Sequence, residues 1–161
     1  MKSLLKLTGM SSPFIFALAI VLAFAIGFQS GSMSKTIIMT DKAPKAIGPY
    51  SQGILVGDML FVSGQLGIDP ATGKLAGDSL EVQMRQVMKN IGGILNAGDL
   101  SYQNVVQSTV YLKDMNDFAR MNAIYGEYFP SDPPTRATVQ VSRLPADAKV
   151  EIAVLAIKGP K

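Results

Sequence analysis

The chain has 161 residues, 48% apolar and 17% charged, which fits one folded domain and excludes an intrinsically disordered protein. Its formal charge of +3 includes Lys2 and Lys6; without them 13 basic residues face 12 acidic ones, too even a balance for the clustered positive charge that phosphate backbones demand. With no histidine and no cysteine, Ser-His-Asp and Cys-His triads, histidine-based RNA cleavage, a zinc site of the usual ligands and a lipid-anchored cysteine are excluded.

Residues 1–32 read as an address, and residues 33–161 as a single domain. Lys2 and Lys6 give a positive start, residues 14–28 are an uncharged apolar run, and Ala23-Phe24-Ala25 or Ser30-Gly31-Ser32 offers a cleavage site. The run is shorter than the ~20 residues of a spanning helix, so the expectation is a cleaved signal peptide and export to the periplasm or beyond. The alternatives are an uncleaved membrane anchor, or a cytoplasmic product started at Met33, since Met33-Ser34-Lys35 reads as a start of its own.

The elements then follow in order. Residues 36–39 form a short strand, and 52–56 and 59–63 pair through the two-residue link Gly57-Asp58, suited to a tight hairpin. Residues 67–74 (GIDPATGK) have a superficial likeness to a phosphate loop, but the glycine spacing is one too long and Leu75 stands where Ser or Thr is required. The stretch reads as a turn. Ser79 is a helix N-cap with Glu81 in the first turn; Leu80, Met84, Val87, Met88, Ile91 and Leu95 share one face, and Gly98 ends the helix. Residues 105–112 alternate as a strand. A second helix spans 115–128 with Phe118, Met121, Tyr125 and Phe129 on its buried stripe. Two strands, 136–141 and 149–157, finish the chain, the first read as buried. The fold class is α+β, a mixed sheet with both helices on one face. The other sheet face remains apolar with no element to cover it, which predicts burial against copies of the same chain.

Carboxylates, lysines, hydroxyls, backbone amides and arginine remain for chemistry. Arg136 follows Pro133-Pro134-Thr135 at a strand entry, and a guanidinium fixed there suits a carboxylate or phosphate, or else a structural ion pair. Asn122 falls at or beside the buried stripe of the second helix, either as a satisfied structural amide or as a site residue. Glu151, among apolar neighbours, is either ion-paired or placed for proton handling. Tyr50 follows a Gly-Pro turn and is either a lid over the core or a pocket wall.

Five stretches in order resemble the RidA (YjgF/YER057c/UK114) family: Ala46-Ile47-Gly48-Pro49-Tyr50-Ser51-Gln52-Gly53, Val62-Ser63-Gly64-Gln65, Asn122-Ala123-Ile124-Tyr125, Pro134-Thr135-Arg136-Ala137-Thr138-Val139 and Val150-Glu151-Ile152. The resemblance implies a chorismate-mutase-like α+β fold, a homotrimer with clefts between subunits, and 2-iminobutanoate/2-iminopropanoate deaminase activity without a cofactor or metal. It implies that Arg136 anchors a substrate carboxylate and Glu151 orients or activates water. Gly64 would offer its backbone near the substrate, and Tyr50 and Asn122 would shape the cleft. Thr138, a substrate-binding position by the resemblance, stands where some members carry cysteine; its backbone can still serve, so no loss of hydrolysis is expected, and thiol-dependent regulation is excluded. The implied substrate is a small 2-imino acid, with no nucleic acid expected and a membrane only if the leader is retained. Two alternatives stand beside this: a small-carboxylate sensor without turnover, and an RNA-directed, endoribonuclease-like role.

Overall fold

The structure, a computed structural model, describes residues 34–159; the expected signal peptide or anchor lies outside these residues. Eight strands and two helices run in the order β1 (Lys35–Ile38), β2 (Gly53–Val56), β3 (Met59–Leu66), β4 (Ile68–Asp69), β5 (Lys74–Leu75), α1 (Leu80–Ala97), β6 (Val105–Leu112), α2 (Phe118–Tyr128), β7 (Thr135–Gln140) and β8 (Val150–Ile157). Six strands form one sheet in the order β1-β2-β3-β8-β6-β7, while β4 and β5 make a small separate hairpin. Every neighbouring pair in the large sheet is antiparallel except β6 and β7, which run parallel because α2 carries the chain back between them. The sheet is therefore mixed, as expected.

Local chemistry explains most of the boundaries. Gly57 at φ 57° makes the two-residue β2–β3 turn possible. The Asp69-to-Gly73 turn closes the β4–β5 hairpin, with Asp69 Oδ1 accepting from Ala71 N at 2.8 Å. Ser79 caps α1 by accepting from Val82 N at 3.2 Å. At the other end of α1, Leu100 N reaches back to Leu95 O at 2.9 Å over Asp99, which takes the left-handed conformation at φ 58°.

Both helices pack on one face of the large sheet. Leu80, Met84, Met88, Ile91 and Leu95 of α1 are sealed against Leu60, Ile152 and Ala156, and Met121 and Tyr125 of α2 extend the same core. The opposite face has no cover among the described residues. Its cross-strand row Ile37–Ile54–Phe61–Leu155 is apolar, and Ile37 and Phe61 are 56% and 47% exposed. Among the described residues no helix is long and apolar enough to cross a membrane.

Three local expectations are corrected. The strand that begins at Arg136 is not buried: β7 is the sheet edge, and none of its residues is sealed. The second helix starts at Phe118 rather than 115, because Asp114 accepts from Asn116 N and turns Met115–Asp117 into a single 3₁₀ turn. Phe118 therefore leaves the buried stripe and stands 40% exposed, while Ile124 joins it.

Candidate active site

The β7 edge carries the first group of candidate residues. Register aligns Arg136 with Ser108 and Thr138 with Val110 on β6, so both side chains point to the helix-covered face. There Arg136 lies over the Tyr125 ring, its guanidinium carbon 4.6 Å from the ring centre, with the Phe118 ring at 5.8 Å. Its Nη2 donates to Asn122 Oδ1 at 2.7 Å. Tyr125 is itself fixed, since its hydroxyl and the buried Ser108 hydroxyl share a hydrogen bond of 2.7 Å. Burial pushes the Tyr125 phenol above its ordinary pKa, partly offset by Ser108 and the Arg136 charge.

No carboxylate among the described residues forms an ion pair with Arg136. Among the described residues the structural ion pair is thus absent, and the guanidinium rests over the Tyr125 ring with Asn122 bracing it. Asn122 is exposed rather than buried: it spends its oxygen on Arg136, not on the core. Thr138 Oγ1 is enclosed and has no hydrogen-bond partner among the described residues.

The second group lies around the β3 bulge. The β3–β8 register breaks between Val62 and Gln65, which puts Gly64 beside Glu151. A methyl group on Gly64 would overlap the Glu151 carboxylate oxygen and come within 2.8 Å of its Cδ, so only glycine leaves that carboxylate its place. Glu151 has no ion-pair partner among the described residues, which removes the paired alternative. Burial raises its pKa above the ordinary carboxylate value. Tyr50 is half exposed and lines, with Gly64, a cavity of about 250 Å³.

The loop that carries Tyr50 is pinned by Gln52. The buried Gln52 amide donates to Thr40 O at 3.0 Å, Ala43 O at 3.1 Å and Pro44 O at 2.8 Å, and its oxygen accepts from Thr40 N at 2.8 Å. Among the described residues no three Asp, Glu, His or Cys side chains gather as metal ligands.

The two groups do not meet within one chain. Glu151 pairs across the sheet with Tyr111 and so faces the uncovered side, opposite to Arg136. The two residues are two strands apart and three positions out of register, on the order of 14 Å between Cα atoms, with side chains directed to opposite faces. Sequence reading had named neither Tyr125 and Ser108 as the brace of Arg136 nor Gln52 as the brace of the Tyr50 loop. A serine inside the apolar alternation of β6 was the available signal for Ser108.

The fold and the site define a small α+β domain with one open sheet face and two half-sites, one cationic and one carboxylic. Residues 40–158 match the family model described as Endoribonuclease L-PSP. The chain is 52% identical over 125 residues to the RutC family protein of Saccharolobus solfataricus, covering 78% of this chain and 99% of that one. It is 47% identical over 129 residues to the 2-iminobutanoate/2-iminopropanoate deaminase of Bos taurus, covering 80% and 94%. The solved structure of E. coli TdcF with bound serine aligns with a TM-score of 0.74 at 41% identity, covering 77% of this chain and 99% of that one. The chain belongs to the RidA/YjgF family.

Proposed function

We propose that this chain hydrolyses small reactive 2-imino acids to 2-oxo acids and ammonia, in clefts formed between copies of itself in a homotrimer. The observation that carries the reading is the Arg136 guanidinium, set over Tyr125, braced by Asn122 and without a carboxylate partner among the described residues. A planar fork held this way offers two parallel donors to a substrate carboxylate. Relatives named as imine deaminases and a relative solved with bound serine support a ligand that carries a carboxylate next to nitrogen.

The reaction asks little of the protein. An iminium carbon beside a carboxylate is already electrophilic, so anchoring and one proton acceptor supply most of what is needed. Water oxygen bonds to the imine carbon, the C=N pair moves to nitrogen, and Glu151 takes the water proton. That proton then returns to nitrogen, the C–N bond breaks as the oxygen pair forms C=O, and the remaining hydroxyl proton passes to Glu151 and from there to the departing ammonia, which leaves as ammonium. Glu151, uncompensated and with a raised pKa, suits both directions of transfer. Because Arg136 and Glu151 face opposite sides of one sheet, a second copy brings the complementary half. The apolar open face is the surface such an assembly buries.

The test is a trapping assay. A threonine dehydratase generates 2-iminobutanoate, semicarbazide captures the free imine, and added protein is expected to suppress the adduct. Arg136→Lys is expected to leave it unsuppressed, because an ammonium cannot reproduce the planar fork. Full suppression by that variant contradicts the anchor.

For residues 1–32 the export reading stands as a proposal resting on Lys2, Lys6 and the apolar run at 14–28. N-terminal sequencing of protein from its host is expected to begin after Ala25 or Ser32. A chain that retains Met1 contradicts cleavage.

A further inference from the structure

Glu151 has two neighbours on the open face, and they are opposite in kind. On the β3 side is Gly64, whose missing side chain the carboxylate replaces: a Cβ there would overlap Glu151 Oε1 and stand 3.1 Å from its Cγ. On the β6 side is Tyr111, which pairs with Glu151 directly across the ladder. Opposed residues of an antiparallel pair send their side chains to the same face, with Cβ atoms about 5 Å apart. Burial marks that face independently. Val110 and Leu112 beside Tyr111, and Val150 and Ile152 beside Glu151, are sealed under the helices, while Tyr111 and Glu151 are only partly buried. The row on the open side therefore runs Leu66–Glu151–Tyr111–Val139 across four strands.

Tyr111 is the bulkiest member of that row, and its ring stands farther from the sheet than a carboxylate does. A glutamate side chain has several staggered conformers of similar energy. With one flank emptied by glycine and the other filled by a ring, the conformer that leans toward β3 is the one with room, and it is the one observed. The ring also keeps water from one side of the carboxylate, and burial is the cause that raises the Glu151 pKa. No other titratable side chain lies on β3, β6 or β8. Lys113, paired with Asp147, and Lys149 follow at the end of the ladder, while Lys45 and Tyr50 come from the loop that shares a cavity with Gly64. Helix α1, with Glu81, Arg85 and Lys89, packs on the opposite face. Arg136 of a second copy enters the cleft in every Tyr111 variant alike, so comparison among variants isolates the ring.

We propose that Tyr111 is a positioning residue whose ring walls the β6 flank of Glu151, holding the carboxylate over Gly64 and shielding it from water on that side. The inference rests on the reading of Glu151 as the proton acceptor and adds the residue that keeps it in place. The ring carries the role, and the hydroxyl does not.

The test follows the carbon-13 signal of the Glu151 carboxyl by NMR during a pH titration of the full chain, with Glu151→Gln assigning the signal. Wild type and Tyr111→Phe are expected to titrate above the ordinary carboxylate range, and Tyr111→Ala to move down toward it. For 2-iminobutanoate, Tyr111→Ala is expected to lose about tenfold in kcat with KM nearly unchanged, its acid limb moving to lower pH, and Tyr111→Phe to restore both. A Glu151 titration indifferent to Tyr111→Ala, or a Tyr111→Phe that behaves like Tyr111→Ala, overturns the inference. Should Tyr111→Ala fail to fold, cross-relaxation between Tyr111 ring protons and Glu151 methylene protons in wild type decides: contact supports the wall, and its absence overturns it. The titration needs no substrate. A Tyr111-dependent value without turnover sinks only the hydrolase reading, while turnover with a Tyr111-independent value sinks only this inference.

Discussion

The two half-sites are built on opposite principles. At the β7 edge everything is fixed: Arg136 lies against Tyr125, Tyr125 is tied to Ser108, and Asn122 holds the guanidinium from the side. Around the β3 bulge the site is left uncompensated instead: among the described residues Glu151 has no cation partner, and Tyr50 stands half exposed on a loop. Rigid, satisfied groups suit a task that does not change during reaction, such as holding a carboxylate. Unsatisfied groups suit tasks that do change, such as passing a proton or meeting a variable side chain. One half is finished locally and the other is left open, and neither is complete functionally: the first lacks a proton acceptor and the second a fixed cation.

The rigid half is the place to look for the largest loss. Arg136→Ala is expected to lower kcat/KM for 2-iminobutanoate by about 100-fold or more, since it removes both anchor and orientation. The fold should be unharmed, because Arg136 sits on an edge strand and has no ion pair to break among the described residues. A loss below threefold in the trapping assay would mean that the braced arginine is not the anchor.

The open half breaks in a different manner. Gly64→Ala forces the Glu151 carboxylate to swing away, at little cost in melting temperature because it is the far end of a flexible side chain. An activity loss of about tenfold or more is expected, tracked by kcat rather than KM. Unchanged kcat with a folded protein would detach Glu151 from proton transfer.

Proton dependence sharpens the contrast further. Glu151 holds its proton to a higher pH than an ordinary carboxyl, so kcat/KM should fall as pH drops through that raised value, and Glu151→Gln should remove this limb along with most of the rate. The stability sign is opposite. A carboxyl whose folded pKa is raised supports the fold below its unfolded pKa, and that support is lost as pH rises through the folded pKa. Thermal melts should therefore show Glu151→Gln equal to wild type in acid and at least as stable at neutral pH.

The smallest effect belongs to the brace behind Arg136. Tyr125→Phe keeps the ring under the guanidinium but leaves the buried Ser108 hydroxyl unpaired, costing about 1 kcal/mol of stability. KM should rise only a few-fold, read by steady-state kinetics at matched folding.

What the sequence disclosed follows from how local each feature is. Helix α1 was legible from Ser79 to Gly98 because its cap, its first-turn acid and its apolar spacing lie within one short stretch. The β2–β3 hairpin was legible for the same reason. The exposure of β7 was not, since it depends on a parallel pairing with β6 across an intervening helix. Asn122 was legible only as a residue at or beside the buried stripe, because one helical position decides between core and rim; next to sealed Met121 it falls on the rim and meets Arg136. The opposed facing of Arg136 and Glu151 was hidden most deeply: it depends on the register of three strands, and no single stretch of sequence carries that. The motifs identified the candidate residues without revealing that one chain holds them apart.

The central claim is that a working site takes Arg136 from one copy and Glu151 from another. Mixing Arg136→Ala with Glu151→Gln subunits, unfolded and refolded together in equal amounts, tests it most directly. Random reassembly of intersubunit sites should restore about one quarter of wild-type activity, where an intact Arg136 meets an intact Glu151. A mixture no more active than its two inactive parents would place both residues in the same copy and contradict the account.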